Sequence, residues 1–253
     1  MICSGGLATY CADAQATADL LRTHDVVVVA GNVEERLSVG VKHCGCGFNE
    51  GSACDVLASS RYDHAGHTIY KETNCWMGSL PHIATFTMSR AHLAVAHGGV
   101  TQTNRSIFPA TPDEDLRREL QLSGTDGVIA EHSKKRHSRQ VDSQLWHNAG
   151  AISMPANDRT LRLWYSVVTP SSDSIYIKIQ ALDFNWRGAV AKIRAAGLSL
   201  ACADALEIGL WPRDKIISSD DQAQPGRPLT ESALKWSTRG VMPKPKSQRI
   251  AAP

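Results

Sequence analysis

Three short apolar runs constrain the fold of this chain more than any other feature. They are Val26–Ala30, Leu93–Ala96 and Gly127–Ala130, and each is four or five residues long. Continuous apolar runs of this length predict strands that are buried on both faces, as in a sheet covered by helices. The sequence therefore predicts an α/β fold.

Each run ends near a polar side chain that can bind a metal ion. Asn32 follows the first run, His97 follows the second, and His132 follows the third after one intervening residue. In open α/β sheets the loops at the carboxyl ends of the strands meet in one crevice, where ligands bind. A single histidine at a strand end is usually a structural polar residue, but the three together predict a metal site.

The residue types at this edge suit phosphate ester hydrolysis. Such a reaction is served by two metal ions about 3.5–4 Å apart, which hold the phosphoryl oxygens and acidify a bound water. Histidine, asparagine and carboxylate side chains build these sites, and a carboxylate bridges the ions. Asn32, His97 and His132 are candidate ligands for one of the two ions.

Helical patterns flank the predicted strands. Residues Ala12–Thr23 form a predicted helix before the first strand. A second helix is predicted to begin with Thr111 as N-cap, Pro112 at the first helical position and Glu114 closing a capping box. Gly124 ends this helix, which leads directly into the third apolar run.

The pattern changes in the second half of the chain. Apolar residues alternate with polar ones over 161–167 and 175–179, and the turn at Pro170–Asp173 joins them, which predicts an antiparallel hairpin. Two short helices are predicted at Trp186–Ala196 and Ser199–Ile208.

Composition predicts one domain followed by a tail. Residues 218–253 are rich in proline, serine, glutamine and basic residues, so we expect a mostly disordered tail. Residues 1–217 are enough for one domain with a full core.

Charge and hydropathy argue against several classes of protein. The net charge of +2 does not indicate a nucleic-acid partner. Residues 1–15 lack the features of a signal peptide, and Val26–Ala30 is far shorter than the roughly 20 residues of a membrane helix. We therefore expect a cytoplasmic protein whose seven cysteines are reduced thiols.

Several stretches resemble the calcineurin-like metallophosphoesterases, and in particular a bacterial subgroup. The later motif blocks of the family are matched in order by Gly31-Asn32-Val33-Glu34-Glu35, His97-Gly98-Gly99 and Gly127-Val128-Ile129-Ala130-Glu131-His132. The subgroup is matched further by Cys44-Gly45-Cys46-Gly47-Phe48, Gly51-Ser52-Ala53-Cys54-Asp55 and Leu145-Trp146-His147-Asn148-Ala149-Gly150. The similarity runs from about Cys3 to about Pro212.

This resemblance implies a β-sandwich flanked by helices. It also implies a hydrolase that acts on a small phosphoester with divalent ions such as Mn, Fe or Zn. Asn32, His97 and His132 fall on ligand positions of the second ion of the family.

The chain departs from the family where the first ion should bind. No Asp-x-His block precedes Cys3, and Gly6 stands where the aspartate that bridges both ions is expected. Val33 replaces a histidine that contacts the phosphate, and Lys134 replaces a second histidine ligand. We therefore expect one metal site at most.

The same departures imply that the first strand-plus-helix unit, on the order of 30 residues, is missing. Either the true start lies upstream or the gene has decayed. Gly6 favours decay, because a wrong start cannot remove the bridging aspartate.

Two residues are candidates for binding substrate. Arg105 follows the His97 block and would place a guanidinium near a phosphate, unless it is a solvated loop residue. Asn148 is expected at the same sheet edge, where it would orient a ligand histidine. The basic run 134–139 either binds phosphate-rich ligands or forms a solvated loop.

Three functions remain open at this point. The first is hydrolysis of a small phosphoester, and the second is a degenerate relative that binds a ligand or a protein without turnover. The third is a zinc-stabilised module built on Cys44, Cys46 and Cys54 with His43. The single residue between Cys44 and Cys46 departs from the usual zinc spacing, which favours a glycine-rich loop instead.

Overall fold

The computed structural model describes residues 1–46, 51, 53–211 and 226–238. The elements of this part of the chain are, in order, β1 (Ile2–Cys3), α1 (Ala14–Thr23), β2 (Val27–Val28), α2 (Asn32–Ser38), α3 (Ala53–Thr68), α4 (Lys71–Gly78), β3 (Ile83–Met88), β4 (Ala91–Ala96), α5 (Asp113–Ser123), β5 (Gly127–Ala130), β6 (His137–Val141), β7 (Gln144–Asn148), β8 (Leu163–Pro170), β9 (Ser174–Leu182), α6 (Trp186–Ala195), α7 (Leu200–Ile208) and β10 (Ser232–Ser237).

A mixed five-stranded sheet with the order β3-β4-β5-β7-β6 positions the site. Its central strands β4, β5 and β7 are parallel, while β3 and β6 pair antiparallel at the two edges. The second and third apolar runs form β4 and β5, and both are largely buried, as predicted. Because the three central strands are parallel, their carboxyl ends lie together along one side of the sheet, which we call its carboxyl edge.

A second sheet packs on one face of the first. It has the order β10-β9-β8. Leu93 and Leu145 of the five-stranded sheet share one buried cluster with Ile175, Ile177 and Trp236 of the three-stranded sheet. The two sheets therefore form a sandwich.

Helix α5 covers the other face of the five-stranded sheet. Leu116 and Leu120 lie on one side of this helix and pack against Val128 and Trp146 of the sheet. With helices also around β1 and β2, the predicted α/β class, a sandwich flanked by helices, is confirmed.

The first apolar run does not join the five-stranded sheet. Only Val27–Val28 is a strand, and it pairs in parallel with β1 in a separate two-stranded sheet. The run is cut short because the chain turns away after it: the Ala30 N–H donates to the Pro81 carbonyl, and α2 begins at Asn32. The expectation of three equivalent strands is wrong in this respect.

The start of α5 also differs from the prediction. Pro112 is the N-cap and provides no side-chain cap, so the predicted capping box does not form. The Thr111 hydroxyl instead accepts a hydrogen bond from the Phe108 N–H at 2.9 Å. Gly124 ends the helix in the left-handed conformation with φ 63°, as expected.

The C-terminal elements follow the predicted pattern as far as α7. Strands β8 and β9 form the antiparallel hairpin, and α6 and α7 lie within about one residue of their predicted bounds.

Part of the segment expected to be disordered is instead ordered. Strand β10 pairs antiparallel with β9, and Trp236 is only 1% exposed. The prediction for 218–253 is therefore wrong for residues 226–238, because Leu234 and Trp236 supply an apolar face that average composition hides. Residues 218–225 and 239–253 lie outside the described residues, as does the predicted boundary at 217.

The cysteines differ from the expectation of reduced thiols at one place. Cys44 and Cys46 form a disulfide. Cys3, Cys11, Cys75 and Cys202 are free, and the side chain of Cys54 lies outside the described residues. Separately, no helix in the described ranges is long and apolar enough to cross a membrane.

Candidate metal-binding site

His97 and His132 meet at the carboxyl edge of the five-stranded sheet. His97 directly follows β4, and His132 lies two residues past the end of β5. The backbone N–H groups of Glu131 and His132 both donate to the His97 carbonyl, at 2.9 and 2.8 Å, so the two loops are held together. His97 Nε2 and His132 Nδ1 consequently lie 2.9 Å apart.

Burial keeps both imidazoles neutral near pH 7. Burial lowers the pKa of His97 to about 4. Burial, followed by the neighbouring His97, also lowers the pKa of His132 well below its ordinary value. His97 Nδ1 lies 2.8 Å from the Ser4 carbonyl and must donate to it, which leaves Nε2 to accept a hydrogen bond from His132 Nδ1. Neutral imidazole is the form that binds metal ions.

Asn32 brings an amide to the same cavity from a different layer of the fold. It is the first residue of α2 and only 3% exposed. Its Nδ2 donates to the Cys44 carbonyl at 2.8 Å and to Cys46 Sγ at 3.5 Å. The amide oxygen, which is the atom that ligates cations, has no hydrogen-bond donor among the described residues.

The distance between the two histidines fits a shared ion. Nitrogen ligands lie about 2.0–2.1 Å from a divalent ion such as Zn²⁺, so two of them at right angles are roughly 3 Å apart. The two nitrogens are hydrogen-bonded at 2.9 Å, a separation that is close to this one and shorter than the roughly 3.4 Å between two ligands of a tetrahedral zinc ion. Together with the Asn32 amide oxygen, these atoms are suitable ligands for one ion.

A side chain would be strained at the position of the expected bridging carboxylate. Gly6 has φ 71°, and a Cβ there would lie 3.2 Å from His97 Cε1. Across the described residues, no group of three or more His, Cys, Asp or Glu is arranged to hold an ion. The candidate ligands at this cavity are therefore two imidazoles and one amide.

Glu34 holds the backbone beside the candidate site in place, a role that was not predicted from the sequence. Its buried carboxylate accepts hydrogen bonds from the N–H groups of Gly6, Leu7 and Gly31 at 2.9, 3.1 and 2.9 Å. A glutamate three residues after the N-cap Gly31 is half of a capping box, which is the sequence signal for this role.

Glu131 is a second carboxyl group at the site. It is 8% exposed, and its Oε2 lies 3.5 Å from His97 Nδ1. Burial raises the pKa of Glu131 to about 7, while that of His97 is about 4, so this contact is not an ion pair between two charged groups. Its place just before His132 was visible in the sequence, but nothing there showed that it would be buried.

The structure does not bring Arg105 into the cavity. Its guanidinium donates to Glu119 at 2.8 Å and to Asp115 at 3.1 Å, both on α5. Glu119 is fully buried, and a buried carboxylate requires a partner of opposite charge. Arg105 therefore anchors its loop to α5 rather than facing a phosphate.

Asn148 reaches the predicted edge but contacts the neighbouring loop rather than a candidate metal ligand. It ends β7, and its Nδ2 donates to the Glu131 carbonyl at 3.3 Å and to Ser133 Oγ at 3.0 Å. Asn148 thus holds the loop that presents His132, without a direct contact to that histidine and without lining the cavity.

The cavity beside these residues extends beyond the metal-binding edge. It has a volume of about 120 Å³. Asn32, His97, Glu131 and His132 line one part of it. Lys134, from the basic run 134–139, also lines it, together with Tyr10 and Arg61, which the sequence did not indicate.

Solved structures share this fold. A hypothetical protein, PH1004, from Pyrococcus horikoshii OT3 is similar with a TM-score of 0.68 and 11% identity, over 82% of this chain and 84% of that one. A metallophosphoesterase from Sphaerobacter thermophilus is similar with a TM-score of 0.58 and 15% identity, over 82% of this chain and 86% of that one. No protein-family model and no curated protein matches the sequence.

A weaker similarity is to Vps29 from Chaetomium thermophilum, with a TM-score of 0.45 and 12% identity over 99% of this chain and 82% of that one. At that score the likeness supports no comparison of sites. The two stronger similarities show that this chain has the metallophosphoesterase fold, which confirms the expectation from the motif resemblance at the level of fold.

Proposed function

We propose that this protein is a metal-dependent hydrolase of a small phosphoester, which uses a single divalent ion held by Asn32, His97 and His132. The observation that supports it best is the pair of neutral imidazole nitrogens 2.9 Å apart, in the cavity that the Asn32 amide also lines. The fold shared with the metallophosphoesterase of Sphaerobacter thermophilus supports the reaction class.

A bound ion and the residues around it would have separate roles in the reaction. A divalent ion, when bound, polarises the phosphoryl group and acidifies a water molecule. The Ser4 carbonyl fixes the ring of His97, and the Cys44 carbonyl fixes the amide of Asn32, so both ligands are oriented in advance. A cavity of about 120 Å³ admits a phosphate group, because one water molecule needs only about 10–15 Å³ by the same measure.

Hydrolysis of p-nitrophenyl phosphate with added Mn²⁺ tests this proposal. We expect measurable turnover that falls at least about 100-fold in a His97→Ala, His132→Ala double variant, because metal ligation loses two of its three donors. A His24→Ala, His67→Ala double variant, at two exposed histidines, is the matched control and should retain the activity. Activity that survives in the first variant would overturn the assignment of the site.

One observation favours a second function, ligand binding without turnover. Gly6 supplies no carboxylate of its own at the expected bridging position, which disfavours the two-ion arrangement of a full phosphoesterase. Isothermal titration with Mn²⁺ and Zn²⁺ separates the two proposals when it is combined with the activity assay. One bound ion without turnover supports the second function, and two tight sites contradict it.

A further inference from the structure

We propose that Lys134 and Arg61 form a phosphate-binding subsite in the same cavity, which holds the phosphate of an organic phosphomonoester without needing a metal ion. The subsite extends the proposed function, because it would bind the phosphate group of the same phosphoester. It rests on two cations and a cavity, however, and not on the ion.

A tight turn delivers Lys134 to the cavity. The Lys134 N–H donates to the Glu131 carbonyl at 2.6 Å, and Lys134 itself has φ 56°. A left-handed conformation is unfavourable for a residue with a side chain, so the surrounding structure must hold it in place. Lys134 Nζ lies 4.3 Å from the centroid of the Tyr10 ring.

Arg61 approaches the same ring from helix α3. Its Cζ also lies 4.3 Å from the centroid of Tyr10. Burial raises the pKa of Tyr10, but the charges of Lys134 and Arg61 outweigh this effect and lower it overall. The phenol thus reports a strongly positive local potential.

Within the described part of the chain neither cation forms a salt bridge with a carboxylate, although burial, which lowers the pKa of Lys134, is outweighed by Tyr10 and Glu131, which raise it. Among the described residues no carboxylate oxygen lies within 4.0 Å of Lys134 Nζ or of the Arg61 guanidinium, although Glu131 lines the same cavity. Lys134 Nζ donates to the His132 carbonyl at 3.4 Å, and Arg61 Nε donates to the Leu57 carbonyl at 3.1 Å.

Some of the other long cations in the described ranges form ion pairs. Arg105, Arg117, Arg139, Lys192 and Arg194 each contact an aspartate or glutamate. Two unpaired cations that share one ring inside a cavity repel each other, and a dianion between them relieves this repulsion.

The remaining walls of the cavity select the organic part of the ligand. Phe108, Met154 and Trp211 line it beside the polar edge. Apolar walls with a few convergent charged groups are typical of small-molecule sites. We therefore assign the ligand class as a phosphomonoester with an apolar or aromatic group.

Phosphate binding by the metal-free protein tests the subsite. The protein is treated with a chelator and titrated with inorganic phosphate and with phenyl phosphate at constant ionic strength, and binding is followed by ³¹P NMR. We expect Lys134→Met and Arg61→Met each to weaken the affinity for inorganic phosphate at least about tenfold, because each removes one charge-assisted contact. Methionine keeps the apolar stem that packs on Tyr10.

A matched control is Lys178→Met, at an exposed lysine on β9 that does not line the cavity. It should bind phosphate like the wild type. Wild-type affinity in both cavity variants, or no binding to the wild type at about 20 mM phosphate, overturns the subsite. Equal affinity for phosphate and phenyl phosphate overturns the assigned ligand class.

The Asn32→Ala variant separates this inference from the proposed function. It should lose metal affinity yet keep the metal-free affinity for phosphate within about twofold. Phosphate binding without any metal uptake by the wild type would contradict the hydrolase and leave the subsite standing. Phosphate binding that requires the ion would contradict the subsite.

A second measurement needs only the wild-type protein. Phosphate should slow the acylation of Lys134 by an amine-reactive reagent, relative to Lys178, as read by mass spectrometry. This result does not depend on whether the variants fold. Equal modification of both lysines with and without phosphate would count against the subsite.

Discussion

The carboxylate of Glu34 joins two loops that are separated in the sequence by α1 and β2. Its two oxygens accept hydrogen bonds from Gly6 and Leu7 on one side and from Gly31 on the other. Gly31 precedes Asn32, and the Ser4 carbonyl beside this loop orients His97. Glu34 therefore positions two proposed metal ligands without contacting either one.

Replacing Glu34 with glutamine should destabilise the fold by about 2 kcal/mol, because an amide NH₂ would face a backbone N–H that now has an acceptor. The free energy of unfolding in urea measures the loss. Glu207→Gln, which removes a partly exposed partner of Arg194, is the control and should cost less than about 1 kcal/mol. Equal effects of the two changes would show that Glu34 is not a structural anchor.

His147 gives the stability of the protein a pH dependence. It is fully buried between Ser138 Oγ at 2.8 Å and Ser166 Oγ at 2.9 Å. Burial, with a smaller contribution from His137, lowers its pKa to about 3. Because the unfolded chain binds a proton at higher pH than the folded chain, stability is complete above about pH 6.5 and falls as the pH drops toward 3.

Between pH 6.5 and 5 the share of His147 in this loss is about 2 kcal/mol. A His147→Gln variant should lose less stability over that interval than the wild type, by about this amount, even if it is less stable at pH 7. Urea unfolding at pH 7 and at pH 5 measures the difference. Identical losses in the two proteins would contradict the buried neutral histidine.

The sequence was informative for side chains that follow strong local patterns. Asn32, His97 and His132 could be placed together because each follows an apolar run. Tyr10 and Arg61 could not be assigned to the cavity, since they come from separate segments and meet only through tertiary packing. The sequence offered Arg105 as a phosphate ligand because it did not show that buried Glu119 would engage it.

At the scale of elements, burial on both faces decided which strands could be predicted. Strands β4 and β5 lie inside the sheet, and their continuous apolar runs match that environment. Strand β2 has an equally apolar sequence, yet it pairs only with β1, and Val27 is 50% exposed. The apolar pattern alone does not indicate which neighbouring strand a predicted strand will pair with.

Strand β10 depends on a single large side chain. Trp236 is 1% exposed, packs with Ile175 and Ile177, and donates from Nε1 to the Ser143 carbonyl at 3.2 Å. Trp236→Ala should cost about 3–5 kcal/mol and expose the segment around β10 to protease. Lys235→Ala, at the exposed neighbouring position, should change stability by no more than about 0.5 kcal/mol.

Thermal unfolding and limited proteolysis of the two variants test this role. Cleavage in 226–238 that is equally slow in the wild type and in Trp236→Ala would show that β10 is held by other contacts. Equal loss of stability in both variants would show that the indole is not the anchor.

At the scale of the whole molecule, the candidate metal site lies between two layers. Asn32 belongs to α2, which packs with α1, α3 and α4 around the two-stranded sheet. His97 and His132 belong to the five-stranded sheet and its loops. An ion held by all three residues would join these layers, so its binding should stabilise the entire fold rather than one loop.

The expected size of that stabilisation follows from mass action. An ion present at 100 times its dissociation constant adds about 2.7 kcal/mol, which in a chain of this size raises the Tm by roughly 5–10 °C. Thermal unfolding with and without Zn²⁺ or Mn²⁺ measures the shift. Asn32→Ala and His97→Ala should each reduce it to less than about half, because one of three ligands is lost.

A His43→Ala variant is the control that distinguishes this site from the cysteine loop. His43 is exposed and contacts Arg36 through both ring nitrogens, at 3.0 and 3.2 Å. If the ion binds at the sheet edge, His43→Ala keeps the full shift while His97→Ala loses it. The opposite pattern would place the ion at the loop of Cys44 and Cys46, and the proposed hydrolase would then lose its metal.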